Sequence, residues 1–229
     1  MPNAIGWCDG TLNPITGCTP TSAGCDHCYA RRLSGRRFGE WKNRDFSILQ
    51  FHPERLQTRL KKKSERIFIG SMSDIGHPLV KREWLEATLD FVRNNPQHQF
   101  IFLTKRPKNL DRRDWEDIPN IILGVSVEDQ SALGRIMSIY NWKVKKVISF
   151  EPLLENISVP SLILRSINWA IVGVETGPGR RLCQSQWIQD ITESCVKWEV
   201  PVYVKTFPKG YPINQDSQNY LQQFREFPR

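Results

Sequence analysis

Six short apolar runs, each closing on polar residues, constrain this chain more than anything else in its sequence. They are RIFIGSMSD (66–74), HQFIFLTKRP (98–107), PNIILGVSVED (119–129), KKVISFEPLL (145–154), INWAIVGVETG (167–177) and PVYVKTF (201–207). Each is rich in Ile, Val and Phe with little alternation, the pattern of a strand buried on both faces. The runs recur at about 20–35 residues, the spacing of βα units. Stretches such as REWLEATLDFVRNN and SQWIQDITESCVKWE, between runs, carry apolar residues at helical spacing. A first strand around residues 5–13 adds to the six. Repeated crossovers of this kind build a parallel sheet. The expected fold is therefore α/β, a single domain over 1–229 forming a partial (βα)6-type TIM barrel.

The polar closures matter as much as the strands. Ser71, Ser73 and Asp74 end the first run, and Thr104, Lys105 and Arg106 the second. Ser126 with Glu128, Ser149 with Glu151, Glu175 with Thr176, and Lys205 with Thr206 end the others. In parallel α/β folds the loops after the strands converge on one edge, and the active site lies there. One polar strand end is explained by a helix cap. Six that include Asp74, Lys105, Glu128, Glu151, Glu175 and Lys205 predict a polar pocket.

Four of the six cysteines, Cys8, Cys18, Cys25 and Cys28, fall within the first 28 residues. The start of the chain lacks the charged and apolar segments of a secretory signal, so a cytoplasmic, thiol-reducing setting is expected. Clustered thiols there point to a metal rather than to disulfides. The spacing Cys18-x6-Cys25-x2-Cys28 wraps three thiolates around one centre, with Gly17 and Gly24 loosening the backbone. Three thiolates leave one iron of a [4Fe–4S] cluster open. Structural zinc wants a fourth ligand, which Cys8, His27, Cys183 or Cys195 would supply without paired spacing. The residues alone leave both metals open. Cys183 and Cys195, twelve apart on a helix-like segment, read as small core hydrophobes.

From about residue 6 to 210, the elements TLNPITGCTPTSAGCDHCYARRL, GSMSDIGHP, FIFLTKRP, PNIILGVSVED, ISFEPLL, WAIVGVETGPGRR and VPVYVKTF follow in that order. Together they resemble the three-Cys-motif phage proteins, a family that looks like a compact branch of the radical S-adenosylmethionine (SAM) enzymes. The resemblance implies a [4Fe–4S] cluster on Cys18, Cys25 and Cys28 at the C-terminal rim of the barrel, SAM as second cofactor, and an electron donor. One feature departs from that superfamily, whose first cysteine gap is typically three residues and here is six. The resemblance also assigns strand ends to SAM. His27 would lie against the adenine, though it also reads as a simple turn residue. Ser71, Ser73 and Asp74 would meet the methionine amino group, and Lys105 the methionine carboxylate. Ser126 and Glu128 would meet the ribose hydroxyls. The IVGVE strand, with Gly173 and Glu175, would pass along the adenine edge; the plain alternative for Gly173 is tight helix–strand packing.

Charge suggests a partner. Residues 1–66 hold 12 Lys+Arg against 6 Asp+Glu, most of the chain's net +8. Arg31, Arg32, Arg36 and Arg37 directly follow the cysteine loop, and guanidinium groups suit phosphates. DNA, RNA or a nucleotide, modified or repaired at a base, is the expected substrate; a solvated basic face is the plain alternative. The other reading of the whole chain is a metal-bearing nucleic-acid-binding accessory protein without catalysis. Of the eight tryptophans, Trp7, Trp41 and Trp115 are candidates to stack on bases. No apolar run approaches the ~18 residues of a membrane span, so no membrane partner is expected. GVETGPGRR lacks G-x-G-x-x-G spacing, and no P-loop or nucleophile elbow occurs, which sets aside kinase, NTPase and serine hydrolase chemistry.

Overall fold

The computed structural model describes residues 5–36 and 39–228. Its centre is a parallel sheet of seven strands in sequence order, curled into a half-barrel. The strands are β1 (Gly10–Leu12), β4 (Arg66–Ile69), β5 (Gln99–Thr104), β6 (Ile121–Ser126), β7 (Lys145–Phe150), β8 (Trp169–Val172) and β9 (Val202–Val204). Between β1 and β4, β2 (Ile15–Thr16) and β3 (Gln50–Phe51) pair antiparallel as a separate ribbon. The six apolar runs all form strands, and the N-terminal segment supplies the seventh.

Strand parity divides the apolar residues between two cores. Phe68, Ile101, Ile122, Val147 and Ile171 point to the concave face, where they pack with Trp7, Trp169 and Tyr203. Their neighbours Ile69, Phe102, Leu123, Ile148 and Val172 enter the outer core under the helices. Burial on both faces explains why the runs read as continuous rather than alternating. At about 25 cal/mol per Å² of apolar surface, a fully buried Leu or Phe contributes roughly 1.5–3 kcal/mol, so the two cores carry the fold.

The crossovers are less regular than the strands. Helix α2 (Arg82–Arg93) links β4 to β5, with Glu83 in its first turn and Arg93 in its last, both favourable to the helix dipole. Helix α4 (Ser185–Lys197) links β8 to β9 and buries Ile188, Ile191, Thr192 and Cys195, one stripe at i, i+3, i+4, i+7. Cys195 is thus the core residue expected, whereas Cys183, also buried, precedes the helix by two residues. The other connections are 3₁₀ turns, the longest Ser131–Ser138, and the four-residue α3 (Ser161–Leu164). The β5–β6 connection is two short 3₁₀ turns, Pro107–Asn109, which Pro107 opens, and Arg112–Asp114, with Pro119 just ahead of β6. Two further helices, α1 (Tyr29–Ser34) and α5 (Gln215–Leu221), follow the cysteine loop and β9.

The tryptophans correct one expectation. Trp7, Trp41 and Trp115 are all buried. Trp115 stands edge-on to Phe102 at 5.1 Å, and Trp41 packs on Phe46 at 5.5 Å. Hydrophobic burial, not base stacking, holds them. Among the described residues no helix is long and apolar enough to cross a membrane.

Candidate functional site

A cavity of about 220 Å³ opens at the C-terminal edge of the strands, where one water needs roughly 10–15 Å³. It therefore has room for an organic ligand. Parity layers its wall: Phe68 and Leu103 lie deep, Ser149 and Ser126 higher, and Lys105, Glu151, Glu175 and Lys205 at the rim. Cys18, Cys25, His27 and Cys28 close it from the loop side.

The loop reaches this edge through two glycines. Gly17 has φ +100°, and a Cβ there would stand 2.4 Å from the Ile48 carbonyl oxygen. Its N–H donates to Met72 O at 2.9 Å, tying the loop to the end of β4. At Gly24 a Cβ would meet Lys105 Nζ and the Glu128 carboxyl carbon, both at 3.0 Å. Only a residue without a side chain lets the loop lie this close.

Two arginines then clamp the loop. Arg106, just past β5, donates to Thr19 O (2.7 Å), to Asp74 Oδ2 (3.0 Å) and to the Cys18 sulfur (3.7 Å). Asp74 accepts also from Thr104 Oγ1 (2.5 Å), Gly76 N (2.9 Å) and Lys105 N (3.1 Å). Burial and the Asp74 carboxylate push the Cys18 thiol up to about 11, against the pull of Arg106. Across the mouth Arg181 donates to Ala23 O (2.8 Å), pairs with Asp26 (3.3 Å) and grips Glu175 through Nε (3.1 Å) and Nη2. Burial alone would raise the Glu175 pKa, but the Arg181 bonds hold it below its usual value. His27 Nδ1 lies 3.0 Å from the same carboxylate. Tyr29 and His77 add ties: Tyr29 OH donates to Ser71 O (2.5 Å), and His77 Nε2 meets Thr19 Oγ1 (2.8 Å).

Most of the residues singled out in the sequence meet here. Cys18, Cys25, Cys28, His27, Ser71, Ser73, Asp74, Lys105, Ser126 and Glu175 all line the cavity. Glu128 and Gly173 do not. Glu128 is fully buried, held by Lys105 (2.7 Å) and by both ends of Arg135 (2.7 and 3.0 Å). Its oxygens face cations rather than the cavity, at odds with a ribose-binding role. A Cβ on Gly173 would meet Lys205 Cδ and the Glu151 carboxylate at 3.0 and 3.1 Å, so this glycine makes room for that ion pair. Arg31, Arg32 and Arg36 are exposed near the loop, with Arg32 donating to Thr176 O at 3.2 Å; Arg37 lies outside the described residues. Arg135 and Arg181 were not singled out in the sequence, whereas Arg106 carried a signal as a polar residue at a strand end and Trp7 as a candidate to stack on bases.

Among the described residues no three His, Cys, Asp or Glu side chains converge on the position of a single metal ion. The three cysteines nonetheless share one wall. Cys18 and Cys28 rest with Met72 against Ala30, Trp41 and Phe46, and Cys18 lies close enough to Cys25 to feel its charge. Three thiols spread around a partly apolar mouth suit a group wider than one ion.

Residues 2–223 match the family described as "Protein of unknown function (DUF5131)", and the chain belongs to that family. No curated protein matches the sequence. Among solved structures, a double mutant of spore photoproduct lyase with bound AdoMet and dinucleoside spore photoproduct shares the fold at TM-score 0.52 and 12% identity, over 86% of this chain and 76% of that one. A cysteine-to-serine mutant of the same enzyme gives TM-score 0.51 at 10% identity, over 86% and 76%.

Proposed function

We propose that this protein is a radical-SAM-type iron–sulfur enzyme acting on a nucleic acid or nucleotide. The observation that carries the reading is the meeting of Cys18, Cys25 and Cys28 with the strand-end polar groups around one cavity. The likeness in fold to an AdoMet-binding lyase supports it, as does the resemblance to three-Cys-motif phage proteins. Cys18, Cys25 and Cys28 would hold a [4Fe–4S] cluster. Such a cluster, reduced by an external electron donor, would supply the electron for reductive cleavage of SAM and so the oxidising power for hydrogen abstraction.

The chain's own residues have separable parts in this. Arg106 and Asp74 fix Cys18, and Arg181 with Glu175 fixes the loop between Cys18 and Cys28. Lys105, Glu128 and Arg135 together carry a net charge of +1. Because Arg135 satisfies Glu128 with two bonds, Lys105 is the cation free to turn toward a carboxylate such as that of methionine. Ser126, beside it on the wall, is placed for a hydroxyl contact. The exposed Arg31, Arg32 and Arg36 favour a phosphate-bearing substrate.

Protein purified anaerobically should carry about four irons and four acid-labile sulfides per chain. With a reductant and SAM it should release 5′-deoxyadenosine, and Cys18→Ala, Cys25→Ala or Cys28→Ala should abolish the release. Stoichiometric zinc without sulfide, or no SAM binding by the iron-loaded protein, would overturn the reading in favour of a metal-bearing nucleic-acid-binding protein.

A further inference from the structure

We infer that Glu151 and Lys205 form a substrate subsite that reads the hydrogen-bonding edge of a nucleobase, an inference that rests on the radical-SAM reading for what is done to the bound base. The pair differs from every other ion pair at the rim. Arg106–Asp74 and Arg181–Glu175 are tied into the cysteine loop, and Lys105–Glu128 lies under Gly24. The side chains of Glu151 and Lys205 bond to each other and, among the described residues, to no further hydrogen-bond partner. Both line the cavity and both are about one-fifth exposed. Holding no part of the scaffold, they are available to a ligand.

Charge narrows the ligand. The pair is neutral overall, so it does not select an anion as the Lys105 group does. It offers an acceptor beside a donor instead. A carboxylate accepts from exocyclic amines, and an ammonium donates to ring nitrogens and carbonyls, which are the groups along a base edge. The floor below is apolar, built of Ile5, Phe68 and Leu103, and suits the face of a flat ring.

Ser149, near the end of β7 and two residues before Glu151, adds a hydroxyl to the wall.

Equilibrium dialysis with adenosine, guanosine, cytidine and uridine, with and without saturating SAM, tests the subsite on the full chain. At least one nucleoside should bind beside SAM, and Glu151→Gln and Lys205→Met should each weaken it at least tenfold, the size of one good base contact. Melting temperatures show whether the variants fold. Should either unfold, the wild type decides, because the same nucleoside methylated on its pairing edge should bind at least tenfold more weakly. Failure of all four nucleosides to bind, or equal affinity in folded variants and for the methylated ligand, overturns the subsite. SAM affinity, measured in parallel, reports separately on the cofactor reading. Loss of SAM binding with nucleoside binding intact would sink that reading alone.

Discussion

At Glu128 two opposing effects meet, and their balance can be measured. Burial would raise its pKa, but hydrogen bonds from Arg135 and the charge of Lys105 outweigh burial and hold it down at about 2, from an ordinary value of 4.5. A carboxyl whose folded pKa is depressed stabilises the fold fully above its unfolded pKa and loses that contribution as pH falls through the folded value. The shift corresponds to about 3 kcal/mol at neutral pH. Glu128→Gln should therefore be clearly less stable than wild type at pH 7, with the gap closing between about pH 5 and pH 2. Denaturant unfolding across that range checks this, and a constant gap would refute it. The residue scale also shows where the sequence stops speaking. Glu128 is visible as a polar strand end, but Arg135 sits seven residues on, in the 3₁₀ segment Ser131–Ser138. Its partnership depends on how that turn folds back. The same holds for Arg181, whose reach to Ala23 spans 158 positions.

Among the elements, the end of α4 is worth testing. Glu199 has φ +56°, its N–H donates to Val196 O (3.1 Å), and Val200 N donates to Cys195 O (2.9 Å). These two bonds make a Schellman motif, whose left-handed position usually holds glycine. An L side chain there costs roughly 1–2 kcal/mol, part of which glycine returns as unfolded-state entropy. Glu199→Gly should raise stability by about 0.5–1 kcal/mol and Glu199→Val should lower it, both read from thermal melts; the reverse order would contradict the assignment. Strands β4 to β9 were legible because two-faced burial writes long apolar runs, whereas the two-residue strands β2 and β3 left no such run. Helices α2 and α4 were legible because each buries one stripe. The short crossovers were not, since a 3₁₀ turn or a four-residue helix has too few positions to show a period. The clustering of Cys18, Cys25 and Cys28 at the rim followed from strand polarity and loop spacing together.

For the molecule as a whole, the basic residues of 1–66 divide between two places: Arg31, Arg32 and Arg36 stand exposed just after the cysteine loop, while Lys61, Lys62, Lys63 and Arg66 gather at the start of β4. If the arginines after the loop meet phosphates, binding must release counterions and fall steeply with salt. Single-stranded DNA or RNA should bind at low ionic strength and weaken progressively as salt rises. Replacing Arg31, Arg32, Arg36 and Arg37 by glutamine should flatten that salt slope, as fluorescence anisotropy would show; an unchanged slope would place the contact elsewhere. The opposite end of the half-barrel has its own closure. Val204 N donates to Phe224 O and Glu226 N to Val202 O, so the segment after α5 runs antiparallel beside β9 and covers its edge. Phe227 then packs on Trp169 and Tyr203 and receives the Arg66 guanidinium at 3.6 Å. Arg66 opens β4, so this one ring joins parts of the chain about 160 residues apart. Contacts of such separation form late in folding, because the intervening loop must be closed first. The floor of the half-barrel is thus sealed by a contact that a growing or refolding chain makes near the end. Until that contact forms, the apolar face beneath it lacks its cover, an exposure of the kind that favours association with other chains.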